Sequence, residues 1–183
     1  MGRKHKISTR KRFQTDNRNF IYYNRPCRRV APMNLVDYTI EVTTEVVETL
    51  QSMRQISGNE NGGILLGSEI GEQHYRINRV SEPCMLIDRS SKYGCIRDAK
   101  KANEIIKREY ESSNHKRVYF GEWHTHPENK PIPSNVDITS ICDVFFKSRI
   151  VIDGVFLAIV GLKSIYWGFY DGVNMHKIEP TII

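Results

Sequence analysis

Gly121-Glu122-Trp123-His124-Thr125-His126-Pro127, followed after residues 128–133 by Ser134-Asn135-Val136-Asp137, is the stretch on which the reading of this 183-residue chain turns. His124 and His126 stand two apart on an expected strand, Val118 to His126. Side chains at i and i+2 leave one face of a strand, so both imidazoles can reach one ion. A Pro-rich loop of seven residues then leads to Ser134, where a helix running to about Lys147 is expected. Asp137 falls in its first turn and can bring a carboxylate oxygen from a second direction. Two histidines and a carboxylate with an open fourth position form the ligand set of a catalytic zinc; iron and manganese accept the same donors. Each half also has a plain structural reading. His-x-His can be an ordinary strand pair, and Ser134 with Asp137 can be a capping box, serine at the N-cap and aspartate at the third helical position. Their conjunction favours the metal site.

Working outward, Tyr38 to Val42 alternates like a strand. Thr43 or Thr44 opens a helix whose apolar positions Val46, Val47, Leu50, Met53 and Ile56 recur at helical spacing, with Gly58 as its stop. Gly62 to Ile70 and Tyr75 to Val80 read as a hairpin turning around Gly71. Residues 81–96 read as a long loop, of the kind often functional inside a compact domain. From about Arg97 a helix carries Ala99, Ala102, Ile105, Ile106 and Tyr110 on one face and Lys100, Lys101, Lys107 and Arg108 on the other. Three strands near Val155 to Leu162, Ile165 to Tyr170 and Val173 to Ile178 complete the chain. Two or three helices among roughly seven strands predict an α+β or mixed α/β sandwich around one central, mainly mixed β-sheet. No internal repeat is present.

The formal charge of +6 is concentrated at one end. Residues 1–30 hold ten Lys and Arg against Asp16, a segment of +9, which leaves −3 on residues 31–183. From Met1 to Phe20 there is no hydrophobic periodicity, so residues 1–20 are expected to be a basic, flexible tail and 21–183 the folded domain. Such a tail can contact phosphates or an acidic partner. It carries no aromatic interleaving and no nucleic-acid module, so nucleic-acid binding is not expected. The longest apolar run, Gly154 to Leu162, is too short to span a bilayer. With no apolar core behind the basic N-terminus, the expectation is a cytoplasmic protein without a membrane segment. Cys27, Cys84, Cys95 and Cys142 form no Cys-x-x-Cys pair and are expected to be reduced. His74, His115 and His176 are isolated and read as surface or structural residues. Trp123, on the strand face opposite the two histidines, reads as core.

The spacing of His124, His126, Ser134 and Asp137 resembles that of the JAMM, or MPN-plus, metallopeptidases, whose signature adds a glutamate upstream. Here that glutamate is Glu60, in Glu60-Asn61-Gly62-Gly63-Ile64-Leu65-Leu66-Gly67, which is similar to the family's Glu-x-Gly-Gly-x-Leu-x-Gly block. The Gly-Glu-Trp-His-Thr-His-Pro stretch is similar to the bacterial JAB-domain branch, and within it to the peptidases of anti-phage operons, including those of cyclic-oligonucleotide (CBASS) defence. The resemblance covers Tyr38 to Ile178. It implies a cytidine-deaminase-like JAMM/MPN sandwich, one Zn2+ on His124, His126 and Asp137, Glu60 as general base and Ser134 as the hydroxyl donor to the oxyanion. It further implies hydrolysis of a peptide or isopeptide bond after the C-terminal tail of a ubiquitin-like protein or of a protein conjugated in the same way, a nucleotide cyclase among the candidates. Gly62 and Gly63 would leave room for a backbone or a substrate near the metal. Two rivals stand beside this reading: a metal-free MPN-type scaffold, which should lack ligands, and a nucleic-acid-associated protein with a structural metal. A Cys–His mechanism through Cys95 or Cys142 has no local signature. Should Glu60 not be the base, Glu122 and Glu128 are the nearest acids in sequence.

Overall fold

The computed structural model describes residues 15–16, 20–21 and 37–183. Thr15–Asp16 (β1) and Phe20–Ile21 (β2) form a two-residue antiparallel pair. The rest of the expected basic tail lies outside the described residues, as does Cys27. The described body is one eight-stranded sheet with three helices, an α+β fold. Its strands are β3 (Thr39–Val42), β4 (Gly62–Gly71), β5 (His74–Val80), β6 (Val118–Thr125), β7 (Val155–Val160), β8 (Ile165–Tyr170), β9 (Met175–Lys177) and β10 (Thr181–Ile182). They lie in the order β10-β3-β5-β4-β6-β7-β8-β9. The β4–β5, β4–β6, β7–β8 and β8–β9 pairs are antiparallel, and the β6–β7, β3–β5 and β10–β3 pairs are parallel. The sheet is therefore mixed. Among the described residues no helix is long and apolar enough to cross a membrane.

Helices cover both faces because each brings one apolar stripe to a sheet whose central strands are apolar on both sides. α1 (Thr44–Ser52) buries Val46 and Leu50 on one face, against a core that includes Leu65, Ile77, Phe120, Trp123 and Phe156. α2 (Ala99–Ser112) and α3 (Asn135–Lys147) cover the other face. Ala102 and Ile105 of α2 pack on Ile64 and Leu66, and Ile141 and Val144 of α3 pack on Val155, Leu157 and Ile159. A fully buried residue such as Ile141 contributes about 1.5–3 kcal/mol. This placement sets Arg97, just before α2, and Ser134 and Asp137, at the start of α3, around one cavity with Glu122 and His124 of β6.

The expected elements differ from the structure in a few places. α1 stops at Ser52, before Ile56, which is 84% exposed. Gln55 goes inward instead: its Nε2 donates to the carbonyls of Gly58 and Lys92, and its Oε1 accepts from Thr125 Oγ1. α2 starts at Ala99 because Asp98 caps it, accepting from the N–H of Lys100 and Lys101. The last strand is shorter than expected, and β10 adds a parallel edge to β3 that no pattern announced. In β6 the pairing with β4 slips at one point: Leu65 faces Gly121 whereas Leu66 faces Tyr119, which makes Phe120 a bulge. Phe120 and Trp123, three apart, thus share the α1 side, while the Tyr119 hydroxyl donates to Glu122 on the other. Gly121 permits the slip, since a Cβ there would meet the Phe156 carbonyl oxygen at 2.0 Å.

Candidate active site

β6 delivers His124, and His126, which follows the strand directly and donates its N–H to the Val160 carbonyl, to the face carrying α2 and α3. Their Nε2 atoms converge to 3.1 Å. Asp137, one turn into α3, closes the group, with Oδ1 3.3 Å from His124 Nε2 and Oδ2 3.6 Å from His126 Nε2. A tetrahedral zinc with ligands at about 2.0–2.2 Å needs its donor atoms about 3.3–3.6 Å apart. With Asp137 presenting Oδ1 to His124 and Oδ2 to His126, the three separations lie close to that figure, so the donor set suits such an ion. His126 Nδ1 lies 3.2 Å from Glu128 Oε2, an arrangement that places the N–H on Nδ1 and leaves the Nε2 lone pair for a metal.

The serine motif fulfils its local role as well. Ser134 Oγ accepts from the Asp137 N–H at 3.2 Å and the Ser134 N–H donates to Asp137 Oδ2 at 2.6 Å, a reciprocal capping box. The cap orients Asp137, so the structural and the ligand readings of Ser-x-x-Asp describe one arrangement. Burial pushes the Asp137 carboxyl up, but the contacts with His124 and Ser134 outweigh it and hold the group at about 2. Burial, with His124 adding to it, lowers the His126 imidazole below its ordinary value, which favours the neutral, ligating form.

Glu60 arrives from the turn before β4. Its Oε1 lies 3.8 Å from His124 Nε2. One ligand atom each from Glu60, His124 and His126 lies within 4.8 Å of the others, so Glu60 too could approach an ion. Asp137 lies nearer than Glu60 to His124 Nε2, at 3.3 Å against 3.8 Å. The Glu60 side chain is 5% exposed, against 12–15% for His124, His126 and Asp137. Burial pushes its carboxyl up to about 6, against a smaller opposing effect of His124. That value suits a base working near neutrality.

All five residues singled out in sequence, Glu60, His124, His126, Ser134 and Asp137, line one cavity of about 360 Å³. Of the reserve acids, Glu122 also lines this cavity and is held by Arg97 and the Tyr119 hydroxyl. Glu128 is committed to His126. Cys142 packs in the core under α3 and does not line the cavity. His74 pairs with Glu41 and His176 with Asp171, away from the site. The sequence reading missed Gln55, Arg97 and the apolar cavity residues Met85, Tyr93 and Val136. Gln55 sits among apolar helical positions, and no local pattern marks it. The expected close approach of a backbone is met at Gly62, where a Cβ would lie 2.8 Å from the Trp123 carbonyl oxygen and 3.1 Å from Met85 Sδ. At Gly63 a Cβ would lie 2.4 Å from Ser81 Oγ and 2.6 Å from Trp123 Nε1, so there the room is taken by the chain's own side chains.

Residues 45–167 match the family described as prokaryotic homologs of the JAB domain. A protein of Escherichia coli named CD-NTase/cGAS isopeptidase is 35% identical over 149 residues, covering 80% of this chain and 92% of the relative. One of the same name from Vibrio cholerae serotype O1 is 33% identical over 143 residues, covering 72% and 82%. Among solved structures, a protein of Desulfitobacterium hafniense superposes with a TM-score of 0.57 at 18% identity, over 79% of this chain and 93% of the other, a likeness of fold.

Proposed function

This chain belongs to the family of prokaryotic JAB-domain homologs, and on that premise we propose that it is a zinc-dependent isopeptidase that detaches a CD-NTase/cGAS-type nucleotide cyclase from the protein to which its C-terminal tail has been joined. The observation that carries the reading is the convergence of two imidazole nitrogens and a carboxylate at 3.1, 3.3 and 3.6 Å. The names of the two relatives supply the substrate class. The presence of every ligand speaks against a metal-free scaffold.

In this reading His124, His126 and Asp137 hold zinc. When bound, the ion polarises the scissile carbonyl and makes water more acidic. Glu60 does the proton work. Its carboxylate takes the proton of the attacking water as oxygen bonds to the carbonyl carbon, then delivers it to the nitrogen as the C–N bond breaks and the amine leaves. The Ser134 hydroxyl, whose oxygen already accepts from the Asp137 N–H, keeps its own hydrogen for the oxygen on which charge develops. No protein nucleophile takes part.

The test is cleavage of a cyclase joined through its C-terminal carboxyl to a lysine of a carrier, followed by intact-mass analysis. The expected product is the cyclase ending in a free carboxylate, together with the unmodified carrier. Cleavage of a ubiquitin-like conjugate but not of the cyclase conjugate would overturn the substrate assignment, and cleavage of neither would overturn the activity.

A further inference from the structure

One polar side chain in the cavity has no role in the scheme above. Cys95 lies in the segment between β5 and α2, and its Sγ is 3.7 Å from Glu60 Oε1. Among the described residues it is the one hydrogen-bond donor to that carboxylate. The same oxygen lies 3.8 Å from His124 Nε2.

The segment is built to hold this contact. The Glu60 N–H donates to the Ser91 carbonyl at 2.7 Å, Asn59 Nδ2 to the Ser90 carbonyl and Gln55 Nε2 to the Lys92 carbonyl. On either side of Cys95 the backbone is fixed: Ser91 bridges Gly94, the Leu86 N–H donates to Ile96 O, and Met85 bridges Arg97. Arg97 in turn is ion-paired with Glu122, two residues before His124. Both residues of the contact are thus pinned through their neighbours, and the thiol has little freedom to leave the carboxylate. An ordinary thiol is protonated at neutral pH, and burial pushes this one up further, so it is an S–H donor.

We infer that Cys95 is a positioning residue for the general base, its thiol donating to Glu60 Oε1 and fixing the rotamer in which the carboxylate faces the metal ligands. The inference rests on the role proposed above for Glu60. It also accounts for a thiol in the cavity without a Cys–His mechanism, since a thiol that donates to a carboxylate is held in its un-ionised form.

The experiment compares Cys95→Ala and Cys95→Ser in the full-length, zinc-loaded chain on the cyclase conjugate. Cys95→Ala should lower kcat roughly three- to tenfold, the scale of one ordinary hydrogen bond, with KM and zinc content unchanged. Cys95→Ser keeps a donor and should recover most of the loss. An unchanged kcat in Cys95→Ala, or a serine variant no better than alanine, overturns the proposal. A second readout needs no substrate. In metal-free protein at pH 8, Cys95→Ala should lower Tm more when Glu60 is present than in a Glu60→Gln background, and equal shifts overturn the contact. If the wild-type chain cleaves no conjugate, the isopeptidase reading fails and this thermal cycle alone decides whether Cys95 and Glu60 are coupled.

Discussion

Glu60→Gln separates metal binding, catalysis and stability in one substitution. The carboxyl is pushed up to about 6 from an ordinary 4.5 because it is buried. Between these values the folded state retains a proton that the unfolded chain has lost. Stability therefore falls as pH rises through that window and stays lower above it, whereas below 4.5 both states are protonated and the penalty vanishes. A shift of this size corresponds to roughly 2 kcal/mol at neutral pH. Glutamine has the same shape and no charge, so the metal-free variant should melt above metal-free wild type by about 4–8 °C at pH 7.5, and with it at pH 4. Scanning calorimetry after chelation, at several pH values across the window, measures the difference. With zinc restored, the variant should keep its metal yet lose at least roughly a hundredfold in kcat, with KM little changed. A variant that is no more stable at pH 7.5, or whose gain is the same at every pH, would refute the buried-base reasoning; near wild-type turnover would move the proton shuttle elsewhere.

Three further outcomes are expected. Ser134→Gly keeps an acceptable N-cap residue and should cost only a few tenths of a kcal/mol in stability, but without the hydroxyl kcat should drop about a hundredfold or more; steady-state kinetics beside a thermal melt separates the two. Gly63→Ala places a methyl against Ser81 Oγ and the Trp123 ring and should destabilise the fold by about 1–3 kcal/mol, measured by urea unfolding. Deleting residues 1–20 should leave conjugate cleavage intact, since the segment lacks the apolar periodicity to join a core; a large loss of turnover in the truncated chain would show otherwise.

The parts of the site that were legible in sequence are those set by short-range rules. His124 and His126 meet because a strand repeats every two residues, and Asp137 joins them because Ser134 starts a helix three residues earlier. Glu60 is different: its distance from the histidines in sequence is bridged by β4 pairing with β6, which places Gly62 opposite His124. Only the resemblance of the flanking block suggested it. What stayed hidden depends on tertiary contact. The bulge at Phe120 breaks the two-residue period and is fixed by the approach of Gly121 to Phe156. Gln55 occupies a position that helical spacing assigns to no face, yet it ties the turn before Glu60 to Thr125 and Lys92. Residues 81–96 read as a loop because their internal bonds mostly close short turns, such as Arg89 N–H to Leu86 O and Ser91 N–H to Gly94 O, while others run to Asn59, Glu60 and Gly62.

The most direct test of the account is the zinc content of the purified chain, measured by elemental analysis alongside conjugate cleavage before and after chelation. The account predicts about one zinc per chain in wild type and almost none in His126→Ala or Asp137→Ala, with cleavage lost on chelation and recovered when zinc is returned. Cleavage that persists at full rate in protein stripped of metal would contradict it.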